Sequence, residues 1–292
     1  MRMKHRIAKH GSAAWLAVVG TLLVLTGALG MHAAQRQAAA PPPRLSPKAG
    51  AVIDLTGYWV SIVDEDWTWR ETTPAKGDYG SIPLNAEGMR LADAWDPDKD
   101  KAEGNECRAY GAANIMRIPE RLHITWADDN TLQVETDAGM QKRLFHFDGS
   151  KWKGGEPELQ GDSIANWDDQ VQRRSNGTPF GGPAPGKGGN LHVVTTHMRP
   201  GYLQKNGVPY SGNAVLSEHF RVLDLDGKPE YMVVTSMVTD PTYLRDTYVL
   251  SGQFKREQDG SKWDPEPCRP LWPLQLRSIL GRSRRGSVAI SQ

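Results

Sequence analysis

Two cysteines in 292 residues exclude a disulfide-rich scaffold, and no C-x-x-C pair is present from which a zinc site is built. The eight histidines are scattered, without an H-x-H pair. His192 and His197 are five apart on one extended segment and so fall on opposite faces. No metal is expected on these spacings. A G-x-S-x-G nucleophile elbow is missing, which removes the usual hydrolase architecture. The nearest approach to a phosphate loop, GGPAPGKG from Gly181 to Gly188, has Gly188 where a magnesium-binding Ser or Thr is needed. Pro183 and Pro185 also remove backbone N–H donors there, and the stretch lacks the strand and helix that flank a working loop. No cofactor is expected.

Charge of one sign is also lacking overall, since the net charge is +1, but the sum hides an asymmetry. Residues 1–30 hold four Lys/Arg and residues 269–292 hold five Arg, with no acid in either. The stretch between them carries 26 basic and 34 acidic side chains, a net of −8, which gives no support to nucleic-acid binding. Long helical runs are disfavoured by 30 Gly and 20 Pro, whereas 10 Trp suit sheet faces and ligand cavities.

What is present begins with Arg2, Lys4, Arg6 and Lys9, followed by an uncharged run from Ala13 to Gly30. This reads as an export signal with small residues Ala28-Leu29-Gly30 at its end, or as an uncleaved anchor through residues 13–30, since 18 residues just reach across a bilayer. The expected location is periplasmic or secreted, with membrane contact only through this segment if it is retained. Residues 31–51, rich in Ala, Gln and Pro, read as a spacer. In an oxidising compartment Cys107 and Cys268 either bridge the two ends of the domain or remain two unrelated thiols.

The domain proper is expected over 52–257. Its clearest stretch runs from Arg121 to Phe147, where Leu122, Ile124 and Trp126 alternate with polar residues, and Leu132, Val134 and Thr136 do the same. Asp-Asp-Asn and Asp-Ala-Gly supply the turns of a three-stranded antiparallel meander. Further strands are expected at 52–64, running on so that Trp67 and Trp69 share a face, and at 163–167, 190–198, 214–224, 231–240 and 247–257. Leu84–Trp95, capped by Asn85, is the one helix expected. Residues 170–189 read as a flexible insertion, and 258–292 as a basic, disordered tail. Eight to ten strands at regular spacing argue an all-β, antiparallel up-and-down barrel, with a β-sandwich as the alternative.

The order of several short motifs resembles a family of exported lipocalin-like β-barrel proteins of soil bacteria. They are Asp54-Leu55-Thr56-Gly57-Tyr58-Trp59, Cys107, Ser163 with Trp167, Thr195-Thr196, Gly207-Val208-Pro209-Tyr210-Ser211, Glu218-His219-Phe220 and Asp240-Pro241-Thr242-Tyr243. The resemblance covers residues 52–256 and departs from the family at 170–189, where a short turn is usual. It implies a fold and export, and brings no reaction with it.

Candidate functional residues follow from strand periodicity. Leu216, Glu218 and Phe220 share a face, so an inward Glu218 sits among apolar side chains, an environment suited to acid–base work near neutral pH. The alternatives are an ion pair with Arg117 or Arg143, or a place at the margin of a wet face formed by Ser217, His219 and Arg221. His197 shares its face with Thr195 and Val193 and points inward or ends at the barrel mouth; with Glu218 it is a candidate proton-transfer pair. Trp67, Trp69, Trp126, Trp167, Tyr202 and Tyr210, with Arg117, are candidates for lining a cavity that takes a small hydrophobic or aromatic molecule; barrel core is their other reading. Three functions are thus in play: an exported small-molecule binder, a cofactor-independent enzyme of the isomerase, hydratase or cyclase kind using Glu218 and His197, and a structural envelope protein with a filled core.

Overall fold

The computed structural model describes residues 45–118, 121–149, 155–168, 189–225 and 228–269. The segment expected to be a signal or anchor, the spacer as far as residue 44, nearly all of the 170–189 insertion and the tail from 270 lie outside the described residues.

Nine strands close a barrel. They are β1 (Gly57–Ile62), β2 (Arg121–Trp126), β3 (Thr131–Thr136), β5 (Lys142–His146), β6 (Asp162–Asp168), β7 (Asn190–Thr196), β10 (Val215–Leu225), β11 (Lys228–Thr239) and β12 (Tyr248–Glu257). Neighbours follow sequence order, and β1 pairs with both β2 and β12, which leaves the ring without an edge. The expected meander is present as β2–β3–β5, with Ile124 opposite Val134 and Leu132 opposite Phe145. One junction departs from antiparallel order: β5 and β6 run parallel through Phe145–Ser163 and His146–Ile164, so the sheet is mixed. Strands can return parallel only through a longer connection, and residues 147–161 supply one.

Smaller pieces surround the ring. β4 (Ala138–Gly139) pairs in parallel with β13 (Glu266–Pro267), and β8 (Gly201–Gln204) forms a hairpin with β9 (Val208–Tyr210). The helices are α1 (Trp67–Glu71), α2 (Ala86–Asp93), α3 (Pro97–Ala102), a 3-10 turn η1 (Glu106–Tyr110) and α4 (Ala112–Ile115). The single expected helix is therefore joined by four other short turns. Asn85 does cap α2, accepting from the Gly88 N–H at 2.9 Å and donating to the Thr242 carbonyl.

Three expectations need correction. Trp67 and Trp69 stand in α1, not on an extended strand, because Asp66 adopts a left-handed conformation (φ 53°) that turns the chain out of the barrel wall. The end of the supposed spacer, residues 45–51, is folded: Ser46 to Gly50 form a turn, Lys48 N–H reaches the Asp129 carbonyl, and the Trp167 indole donates to the Pro47 carbonyl at 2.8 Å. The start of the supposed tail, residues 258–269, is likewise folded, held by β13 and by a disulfide from Cys268 to Cys107 in η1 across 161 residues of sequence.

The barrel interior is packed. Trp59, Leu122, Phe145, Phe220 and Phe254 are among its wholly buried side chains. Trp126, Phe147 and Trp167 stack against one another near one end, with ring centroids 5.1–6.4 Å apart. A second apolar cluster joins Leu216, Val238 and Leu250 to α2, α4 and the β8–β9 hairpin.

Candidate functional site

Glu218 points into the barrel, as periodicity predicts, and is 1% exposed. It does not stand alone there. The Arg143 guanidinium, from β5, donates Nη1 to Oε1 at 3.0 Å and Nη2 to Oε2 at 2.5 Å. Nη2 also reaches the Thr195 hydroxyl at 3.3 Å, which is 2.7 Å from the Ser163 hydroxyl. Of the two outcomes open for an inward Glu218, the structure takes the ion pair, and with Arg143 rather than Arg117. Leu216 belongs to one apolar cluster and Phe220 to the other, so the pair lies where the two cores meet. One guanidinium thus occupies both oxygens of this carboxylate and holds it in its charged form.

His197 follows the end of β7, exposed and left-handed (φ 54°), with Nδ1 2.8 Å from the Thr196 hydroxyl. It is at the mouth, not inside, and no hydrogen bond joins it to Glu218 among the described residues. Arg117 is buried, donating to the Asp66 carboxylate at 2.7 Å and the Ser251 carbonyl at 3.2 Å. Trp67 is 62% exposed, and Trp69 donates to Asp78 outside the barrel. Trp126 and Trp167 belong to the aromatic cluster described above. Of the residues put forward as cavity lining, Tyr202 and Tyr210 come together in one cavity among the described residues.

That cavity is a cleft of about 400 Å³ outside the barrel, between α2, α3, η1 and the β8–β9 hairpin. Tyr202, Tyr210, Tyr243 and Trp95 supply its aromatic walls, and Asp96, Lys99, Asp100, Glu103 and Arg108 its charged ones. Two glycines allow the close packing that shapes it. A Cβ on Gly201 would lie 2.6 Å from the Arg108 carbonyl, and one on Gly207, whose φ is +82°, would lie 2.0 Å from Cγ of Trp95. Asp96 starts α3, accepting from the Asp98 and Lys99 N–H groups, and so fixes Asp100 one turn further on. Asp100 Oδ2 accepts from the Trp95 indole at 2.9 Å and from the Tyr202 hydroxyl at 2.7 Å. Arg108 Nη1 approaches Asp100 Oδ1 at 3.4 Å and the Tyr202 oxygen at 3.3 Å. Burial, opposed by Arg108 and reinforced by Asp100, pushes the Tyr202 hydroxyl up to about 12, so it stays protonated. The Tyr210 hydroxyl, packed against Gly111 and Gly201, has no hydrogen-bond partner among the described residues, and burial raises its ionisation well above the ordinary phenol range.

Trp95, Asp100 and Arg108 were not singled out by sequence. They sit on short turns with little periodicity, and only the Asn206-Gly207 dipeptide advertises the hairpin that brings Tyr202 to them. Among the described residues no group of three or more His, Cys, Asp or Glu side chains is placed to hold a metal. No helix among them is long and apolar enough to cross a membrane. Comparison with protein-family models, with curated proteins and with solved structures found no match.

Proposed function

We propose that the protein is an exported binder of a small hydrophobic or aromatic molecule, and that its site is the cleft at the barrel's end rather than the barrel lumen. The observation that carries this is the cleft itself: three tyrosines and a tryptophan around a volume of about 400 Å³, with Asp96, Lys99, Asp100, Glu103 and Arg108 as its charged groups. Pockets for small ligands are built of apolar walls with a few placed polar groups. Export agrees with the Cys107–Cys268 disulfide, which persists in an oxidising compartment. A lipocalin-like ancestry agrees with the closed ring of sequential strands, although the parallel β5–β6 junction and the packed interior set this barrel apart from an up-and-down cup.

Native mass spectrometry of the protein purified from its own host tests the reading, with tryptophan quenching by a panel of lipids, sterols and aromatic compounds as its second arm. Ala94 is an exposed cleft residue, and Ala94→Trp fills the cleft without touching the barrel. A retained or quenching ligand that Ala94→Trp displaces is the expected result. A ligand indifferent to that substitution, or no ligand in either assay, removes the proposal.

The filled interior favours a second reading, a structural envelope protein with no ligand. The acid–base enzyme has less behind it, since Glu218 is held by Arg143 and His197 stands apart from both.

A further inference from the structure

The polar groups of the cleft are unequally occupied. Asp100 already accepts from three donors, two of them on Oδ2, and its side chain is only 14% exposed. It has little left to offer an incoming donor. Arg108 is the opposite case. Both of its hydrogen bonds use Nη1 and both are long, at 3.3 and 3.4 Å, while Nε and Nη2 have no partner among the described residues. Its side chain is 37% exposed and lines the cleft. The Nε–Nη2 edge is the flat two-donor fork that matches a carboxylate bidentately.

The fork is also held in place before any ligand arrives. Arg108 N–H donates to the Asn105 carbonyl, and the neighbouring Cys107 is tied to Cys268. Its guanidinium carbon lies 5.8 Å from the centroid of the Tyr202 ring. Arg108, Tyr202 and Tyr243 line the same cleft. Fixing the donor in advance lowers the ordering cost of binding.

We propose that the cleft takes a small organic carboxylate with a flat aromatic body, its carboxylate on the Arg108 Nε–Nη2 edge and its ring against Tyr202 and Tyr243. This rests on the cleft being the binding site. An organic cation fits less well, because each carboxylate of the lining is already engaged: Asp100 by Trp95, Tyr202 and Arg108, Asp96 by the Asp98 and Lys99 N–H groups, and Glu103 by Asn105 and by Lys99 at 3.9 Å.

The test is calorimetric titration with phenylacetate and indole-3-acetate against phenylacetamide and indole-3-acetamide. The acids are expected to bind at least about tenfold more tightly than their amides, the worth of one charge-assisted fork. Arg108→Gln is expected to erase that difference. Arg108→Lys keeps the charge without the fork and recovers only part of the preference. Circular dichroism confirms that each variant folds. Equal affinity for acids and amides, or an acid preference that survives Arg108→Gln, overturns the carboxylate assignment; amide binding lost in Ala94→Trp would then leave the cleft standing as the site. Acid binding that Ala94→Trp does not disturb overturns both. Failure of all four probes overturns the carboxylate proposal, and the retained-ligand measurement then decides the cleft by itself.

Discussion

Arg143 and Glu218 show why a buried ion pair is better read through its neighbours than through its chemistry. Each charge has been taken out of water, Arg143 is 1% exposed, and its Nε finds no acceptor among the described residues. Such a pair does little for net stability, but removing one member strands the other. Arg143→Met alone is expected to cost about 3–5 kcal/mol in urea denaturation, whereas Arg143→Met with Glu218→Leu returns most of it. A double variant as unstable as the single one would mean that the pair does more than satisfy itself. A second residue-scale effect lies on the outer face, where His192 and His219 stack in register across β7 and β10, 4.5 Å apart and 7° from parallel. Burial first, and then His219, hold the His192 imidazole below its ordinary range, with Asp168 opposing. As pH falls through about 6.5 the unfolded chain takes up this proton before the folded one, so stability declines until the folded imidazole also protonates. The urea midpoint is therefore expected to drop between pH 7.5 and 5.5, by less in His192→Phe than in the parent. An equal drop in both would assign the dependence to other groups.

At the scale of elements, the cleft is an assembly of pieces that are weak alone. α3 has six residues, η1 five, and the β8–β9 hairpin only three cross-strand pairs. None would persist in isolation, since a short helix cannot recover its nucleation cost. They are held by contact with one another and by the disulfide, whose Cys107 lies in η1 and whose Cys268 follows β13. Closing a loop of 161 residues is worth about 5 kcal/mol in the chain-entropy model. Cys107→Ser, or reduction with dithiothreitol, is expected to lower the denaturation midpoint and to weaken any ligand of the cleft, since Arg108 adjoins the broken bond. Unchanged affinity after reduction, in protein still folded by circular dichroism, would show that η1 is held without the bridge. These elements were hard to read for the same reason that they are weak. Trp67 and Trp69 are spaced as strand residues, and only the backbone at Asp66 turns them into a helix.

At the scale of the whole molecule, the described residues close a ring of nine strands around a packed apolar core. The side chains from the strands meet in the middle: Phe145 and Phe220 lie 5.5 Å apart across it, and both are wholly buried. Phe220→Ala is accordingly expected to cost about 3–5 kcal/mol, measured by urea denaturation. A loss under about 1 kcal/mol would mean that space for a ligand surrounds the ring after all.

Alternation of apolar and polar residues determined nearly all of the barrel strands, because a strand with one face buried must repeat every two residues. It placed β2, β3 and β5 as a meander, put Glu218 inside, and set the Asn85 cap on α2. The identity of Glu218's partner was beyond it, since Arg143 is 75 residues away and only closure of the ring brings β5 and β10 together. The cleft was beyond it for the same reason. Tyr202 meets Asp100 across 102 residues, on elements too short to carry a period, and packing alone chose which of them would touch.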